Sequence, residues 1–305
     1  MLKRFFRKFA HFMGFVIQRL NRETEDTRLL ALGKMLSNQQ TSLTSKNIQD
    51  YEFKIFSQWG DDGIIQYLIK HVSVDNKFFI EFGVEDYLES NTRFLMINNN
   101  WSGFVMDGSE EHMNGLKKRP WFWKYDLSCK AVFIDKDNIN SLLSELNVSN
   151  IGLLHIDIDG NDYHILKEID FSTLNPSILI MEYNAVFGKD RAISVPYRKD
   201  FIRGKAHYSH LYFGASLKAL TLLAEEKGYA LVGCNLAGNN AYYVRKDLLS
   251  EQVPNISLEE AFTDSKFREG RHQNFNLCYS QGSDRLEIMK GLDVVNVETG
   301  EIEKL

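Results

Sequence analysis

Between residues 78 and 244 the sequence alternates short apolar, strand-like runs with amphipathic, helix-like ones, and this alternation limits the possible folds more than any other property of the chain. The strand-like runs cover 78–82, 103–106, 131–134, 151–158, 177–183, 229–233 and 241–244. Helix-like runs at 91–99, 110–117, 138–146, 162–169 and 216–227 separate most of them. A strand that is followed by a helix and then another strand rejoins the sheet in parallel. The pattern therefore predicts an α/β fold with a doubly wound, mostly parallel sheet covered by helices on both faces. Only Leu236-Ala-Gly-Asn-Asn joins the last two runs, which is too short for a crossover and makes the final strand antiparallel. At 305 residues and 44% apolar, the chain has enough hydrophobic material for such a core.

The ends of the chain read differently. Residues 1–22 carry six Lys or Arg and no acid, with Leu2, Phe5, Phe6, Phe9, Phe12, Met13, Val16 and Leu20 near one helical stripe. His11 and Gly14 interrupt the apolar run and no small-residue cleavage site follows, so this is read as a basic amphipathic helix and not a signal peptide. Such a helix suits an anionic lipid surface, a partner subunit (another copy included) or its own domain. The expected organisation is helix and linker over 1–50, a catalytic domain over 51–250 and a polar C-terminal appendage over 251–305. No run approaches the length of a membrane span, and the widely spaced Cys129, Cys234 and Cys278 suit free thiols in a cytoplasmic setting. That setting leaves room for peripheral contact with the inner face of the membrane. A net charge of −5 argues against a dedicated nucleic-acid binder.

The turn after the first strand, Phe78-Phe-Ile-Glu-Phe-Gly-Val-Glu-Asp, lacks the GxGxxG that would seat a pyrophosphate. Gly83 stands alone, followed by Glu85 and Asp86, which suits a cofactor with a cationic centre and no phosphate: S-adenosylmethionine (SAM). Glu81 is placed to accept from the ammonium of its methionine part, and Gly83 to let the backbone come close. Asp107, closing the second strand, can accept both ribose hydroxyls. The fourth strand runs Ile151-Gly-Leu-Leu-His-Ile-Asp-Ile-Asp-Gly-Asn-Asp. Carboxylates at the end of a buried strand require a cation or strong donors. Asp162 alone is explained as a helix cap, whereas Asp157 and Asp159 together call for a function. His155, inside the strand, reads as a hydrogen-bonded core residue.

Glu81-Phe82-Gly83 with Asn91-Thr92, Asp107-Gly108-Ser109, Asp157-Ile-Asp-Gly-Asn-Asp and Glu182-Tyr-Asn resemble the class I SAM-dependent methyltransferases, specifically FkbM-like enzymes of glycan and natural-product pathways. The resemblance runs from Ser57-Gln-Trp-Gly to about Asp247 and includes Tyr212-Phe-Gly-Ala-Ser-Leu and Asn240-Ala-Tyr-Tyr-Val-Arg. It implies a Rossmann-like sheet of seven strands in the order 3-2-1-4-5-7-6 with strand 7 antiparallel. SAM would lie against Glu81, Phe82, Gly83, Asn91, Asp107, Gly108 and Ser109, with Ser57 and Gln58 close by. Many such enzymes have Asp-Val-Glu-Gly where this chain has Asp157-Ile-Asp159-Gly. The shorter acid suggests a metal cluster akin to that of metal-dependent sugar O-methyltransferases.

Hydroxyl methylation needs an aligned acceptor and an activated oxygen. Asp157, Asp159 and Glu182, at the ends of adjacent strands, offer hard oxygen ligands for magnesium or manganese, with Asp157 at the reacting centre. His207 and His210 are the candidate side-chain bases. They lie in the long stretch 184–214, which also holds Arg191, Arg198, Lys199, Arg203 and Lys205. Those cations point to an anionic acceptor such as a nucleotide sugar or a phosphate-bearing glycan. A haloacid-dehalogenase-type phosphatase would place its Asp-x-Asp-Gly on the first strand, and here it is on the fourth. A metal-dependent DxD glycosyltransferase is the better alternative, although it leaves Glu81 and Asp107 unexplained, and a methyltransferase fold kept only as a scaffold would not need the acidic set intact.

Overall fold

The computed structural model describes residues 24–267 and 269–305 and divides the chain into two units, Met1–Leu43 and Thr44–Leu305. In the first unit residues 24–39 form helix α1; the basic amphipathic segment read over 1–22 lies outside the described residues.

The second unit contains α2 (Asp61–His71), β1 (Asn76–Phe82), α3 (Arg93–Asn99), β2 (Ser102–Asp107), α4 (Glu110–Lys117), β3 (Leu127–Ala131) and α5 (Ile139–Ser144). Next come β4 (Ile151–Ile156), α6 (Asp162–Glu168), α7 (Phe171–Leu174), β5 (Ile178–Glu182), β6 (Ile193–Ser194), α8 (Arg203–Ala206), α9 (Leu217–Glu226), β7 (Tyr229–Cys234) and β8 (Asn240–Arg245). The tail adds α10 (Leu258–Ala261), α11 (Ser283–Ile288), β9 (Asp293–Asn296) and β10 (Ile302–Lys304). Seven strands form one sheet in the order β3-β2-β1-β4-β5-β8-β7, with β8 antiparallel to both its neighbours and the remaining pairs parallel. This is the expected order, renumbered by the intervening short strand β6.

Alternation along the strands feeds two cores. Ile80, Phe82, Leu154, Ile156, Leu179 and Met181 pack on one face of the sheet; Phe79, Leu153, Ile178, Ile180 and Val244 pack on the other. Strands covered on both faces are apolar at nearly every position, which is why β4 and β5 could be recognised in the sequence. The third strand shows the converse. It was expected at 131–134 and lies at Leu127–Ala131, because β3 is an edge strand with polar exposed positions, while the apolar run after it turns away to leave Phe133 half-exposed.

A third core lies beyond the sheet. Val186, Phe187, Ile193, Phe213, Met289 and Val294 pack together, and β9 pairs with both β10 and β6. The polar tail and the long stretch 184–214 are thus one layer, set at the carboxyl end of β5.

Candidate active site

Glu81 and His155 are direct cross-strand partners in the β1–β4 register and share one face of the sheet. His155 Nδ1 lies 2.9 Å from Glu81 Oε1, which also accepts the Asn91 N–H at 3.0 Å. Glu81 Oε2 accepts from Ser90 Oγ at 2.6 Å and from the Thr92 hydroxyl. Burial alone would raise the carboxyl pKa of Glu81, but the hydrogen bond and charge of His155 and the Ser90 and Thr92 donors outweigh it and hold it below its usual range. Burial would likewise lower His155, and Glu81 more than offsets this. The two form a buried ion pair that fixes the loop into α3.

Around this pair two adjoining cavities open at the carboxyl ends of the strands. One, of about 300 Å³, is lined by Gln58, Glu81, Asn91, His155, Asn239, Asn240 and Phe267 among others. The second, of about 260 Å³, is lined by Met106, Asp107, Gly108, His112, Phe133 and Ile134 among others. Gly83, Glu85, Asp157 and Asp159 line both. Gly83 sits at φ +73° with its Cα against the next strand exit, where an added Cβ would lie 1.6 Å from the Asp157 carbonyl oxygen. Asp107 is held by two backbone donors, Ser109 N–H at 2.8 Å to Oδ1 and Glu85 N–H at 2.9 Å to Oδ2, leaving lone pairs toward the cavity.

Of the other residues read as cofactor contacts, Phe82 is fully buried beneath the turn and Ser109 caps α4 by accepting the His112 N–H. Ser57 is also buried, with its N–H and hydroxyl both given to Asp62 Oδ2. That carboxylate oxygen also accepts the N–H groups of Ile55 and Phe56, so Ser57 belongs to a brace at the start of α2.

The acidic residues converge. Asp157, Asp159 and Glu182 each bring a carboxylate oxygen within 4.8 Å of the others. Two come from the turn after β4 and one from the end of β5. Asp162 does not join them: it is fully buried, and its two oxygens accept the N–H groups of Ile158 and Gly160 at 2.8 Å each. That brace fixes the turn in which Asp159 takes the left-handed region at φ +56°, a conformation that Asp tolerates better than most non-glycine residues. Burial, the Asp159 charge and Asp162 push Asp157 up to about 7 against the opposing effect of His155. Burial, with Asp157 and Asp159 alongside, drives Glu182 well above the usual carboxylate range. Glu182 Oε2 is buried and lacks a hydrogen-bond partner among the described residues. Three carboxylates with one orphaned oxygen are a donor set that fits a hard divalent cation.

The stretch 184–214 and the tail wall off this cluster. Arg203 reaches Asp159 at 2.7 Å and Glu269 of the tail, and its Nε donates to the His210 carbonyl at 2.6 Å. Burial would lower its pKa, and the charges of Glu269, Glu182 and Asp159 raise it. His210 lines a third cavity beside Asp159, whereas His207 turns its Nδ1 to Ser209 Oγ at 2.8 Å and lines none of the three. Sequence reasoning missed Phe267 and Glu269, which come from a polar segment with no periodicity. His155 is the hydrogen-bonded core residue that the sequence led us to expect, and the β1–β4 register supplies its partner, Glu81.

No protein-family model and no curated protein matches the sequence. Solved structures resemble it at low similarity. The N-terminal domain of EvdMO1, in the presence of SAH and D-fucose, is 10% identical over 72% of this chain and 94% of its own, with a TM-score of 0.38. A S-adenosylmethionine-dependent methyltransferase from Clostridium acetobutylicum is 10% identical over 67% and 93%, TM-score 0.37. Ribosomal protein L11 methylase from Lactobacillus delbrueckii subsp. bulgaricus is 12% identical over 60% and 78%, TM-score 0.35. These likenesses concern the course of the chain, and the sheet order itself rests on the strand pairing described above. No helix among the described residues is long and apolar enough to cross a membrane.

Proposed function

We propose that the chain is a SAM-dependent O-methyltransferase acting on a sugar hydroxyl, with magnesium or manganese held by Asp157, Asp159 and Glu182. The observation that carries this is the convergence of those three carboxylates where the cavities bounded by Glu81 and by Asp107 meet. When bound, SAM supplies an electrophilic methyl group and the divalent ion supplies the Lewis acidity that makes a hydroxyl easier to deprotonate.

The chain's own groups do the rest. Asp107 is oriented by its two backbone donors to receive a ribose diol. Glu81 is saturated by its own chain, so recognition of an amino-acid moiety falls to Gln58, Asn91 and Asn239 beside it. Asp157 and Glu182 would hold the ion as carboxylates, which places Asp157 beside the reacting hydroxyl as a hydrogen-bond acceptor for its proton. His210 stands at the rim next to Asp159, where a second base would be useful.

Calorimetry on the full chain with SAM and with S-adenosylhomocysteine tests the reading, the expected result being micromolar binding. No binding up to low-millimolar concentration overturns it, and glycosyl transfer from a nucleotide sugar without SAM would support the DxD glycosyltransferase in its place. Turnover undiminished by EDTA would remove the metal and leave a side-chain base.

A further inference from the structure

The third cavity, of about 440 Å³, shares Asp159 with the carboxylate cluster and is walled by Phe133, Phe201, Ile202, the acid Glu269 and the cations Arg203 and Arg271. The two cations differ. Arg203 is committed on every edge: to Asp159, to Glu269, to the His210 carbonyl, and by its face to Phe213, whose ring centroid is 3.6 Å away. Arg271 gives its backbone N–H to the Ser209 carbonyl at 2.9 Å, which anchors it against the 184–214 layer. Its guanidinium has no ion pair or hydrogen bond among the described residues, and Nη1 is buried from solvent. A guanidinium nitrogen removed from water without an acceptor is destabilising, and an acceptor brought by a ligand would relieve that cost. Beside it, Phe133 and Ile202 are 47% and 42% exposed, apolar surface on which the flat face of a ring can lie.

We propose that Arg271 binds an oxyanion of the acceptor in this cavity, so that the acceptor is an anionic sugar, phosphorylated or uronic, whose ring rests on Phe133 and Ile202 with a hydroxyl toward Asp159. The inference rests on the methyltransferase reading. It moves anion recognition from the cations of 184–214, where the sequence pointed, to the C-terminal tail. The planar guanidinium fork matches phosphate and carboxylate in a way an ammonium cannot.

The test is calorimetry on the full chain with pyrophosphate and, separately, glucuronate, for wild type, Arg271→Gln and Arg271→Lys, with S-adenosylhomocysteine affinity and thermal unfolding measured in parallel. At least one probe should bind wild type, about ten- to a hundredfold more weakly to Arg271→Gln, and with intermediate affinity to Arg271→Lys. The preferred probe identifies a phosphorylated or a uronic acceptor. S-adenosylhomocysteine affinity should be equal in all three. Wild-type affinity in Arg271→Gln, or no binding of either probe to wild type, overturns the assignment. Probe binding by a wild-type protein that does not bind S-adenosylhomocysteine leaves the anion site standing and sinks the methyltransferase reading instead.

Discussion

Gly83→Ala should destabilise the protein by about 3 kcal/mol, roughly 1 from placing a side chain in the left-handed region and about 2 from overpacking. The added Cβ would meet the Asp157 carbonyl oxygen at 1.6 Å, so the turn after β1 and the exit of β4 must separate by roughly 1.4 Å to reach the 3.0 Å below which Cβ atoms are essentially never found. Recoil is blocked from the other side, because the Gly83 N–H is bonded to the Met106 carbonyl at 2.8 Å. The strain therefore falls on Asp157, at the wall shared by the two cavities. Urea unfolding measures the loss, expected as a drop in midpoint at unchanged slope, and manganese binding measured on the same variant should weaken at least tenfold. A loss below about 1 kcal/mol with undiminished manganese affinity would refute the claim that the turn and the strand exit are rigidly apposed.

Two further outcomes follow from the charges. His155→Gln leaves the Glu81 carboxylate buried without its cationic partner and should cost about 3–5 kcal/mol. Because Glu81 titrates below its ordinary 4.5 and His155 above its ordinary 6.5, the pair's contribution is complete between those values. It declines as pH falls through the depressed value or rises through the elevated one, so the wild-type-minus-variant difference in urea stability should shrink from pH 6 to pH 9; a constant difference would show that the pair is uncharged. Asp157, raised to about 7, holds a proton that a cation must displace. Glu182, also raised, holds a second, so manganese affinity should rise by about ten- to a hundredfold per unit between pH 5.5 and 6.5 and should be lost in Asp157→Asn. Calorimetry at the two pH values checks this, and equal affinities would refute it.

The sheet was legible because its inner strands are covered on both faces and so are apolar at nearly every position, and because the five-residue link after Leu231-Val-Gly-Cys admits only a hairpin. The edge strand β3 escaped, since past Leu127 its residues are small or polar and exposed or only partly buried, while its apolar neighbour lines a cavity. Asp157, Asp159 and Glu182 could be brought together on paper because strand order places their ends side by side. Glu81, read as a ligand acceptor from its place at the strand tip and from the resemblance, lines the cavity and also accepts from Ser90, Asn91, Thr92 and His155, and the His155 contact is one that only the register of β1 against β4 reveals. Arg203 and Arg271 looked alike as residue types; what separates them is the company of Asp159 and Glu269, and Glu269 lies 66 residues further along the chain.

The three-stranded sheet of β6, β9 and β10 has an evolutionary consequence. The wall over the carboxylate cluster is assembled from 184–214 and from the tail, joined by the β6–β9 ladder and by the reach of Arg203 to Glu269. Neither part can be exchanged alone without leaving an unpaired strand edge and a stranded charge. A change of acceptor in a lineage carrying this architecture should therefore show paired substitutions in the two segments, and a chimera that transplants preference must carry both.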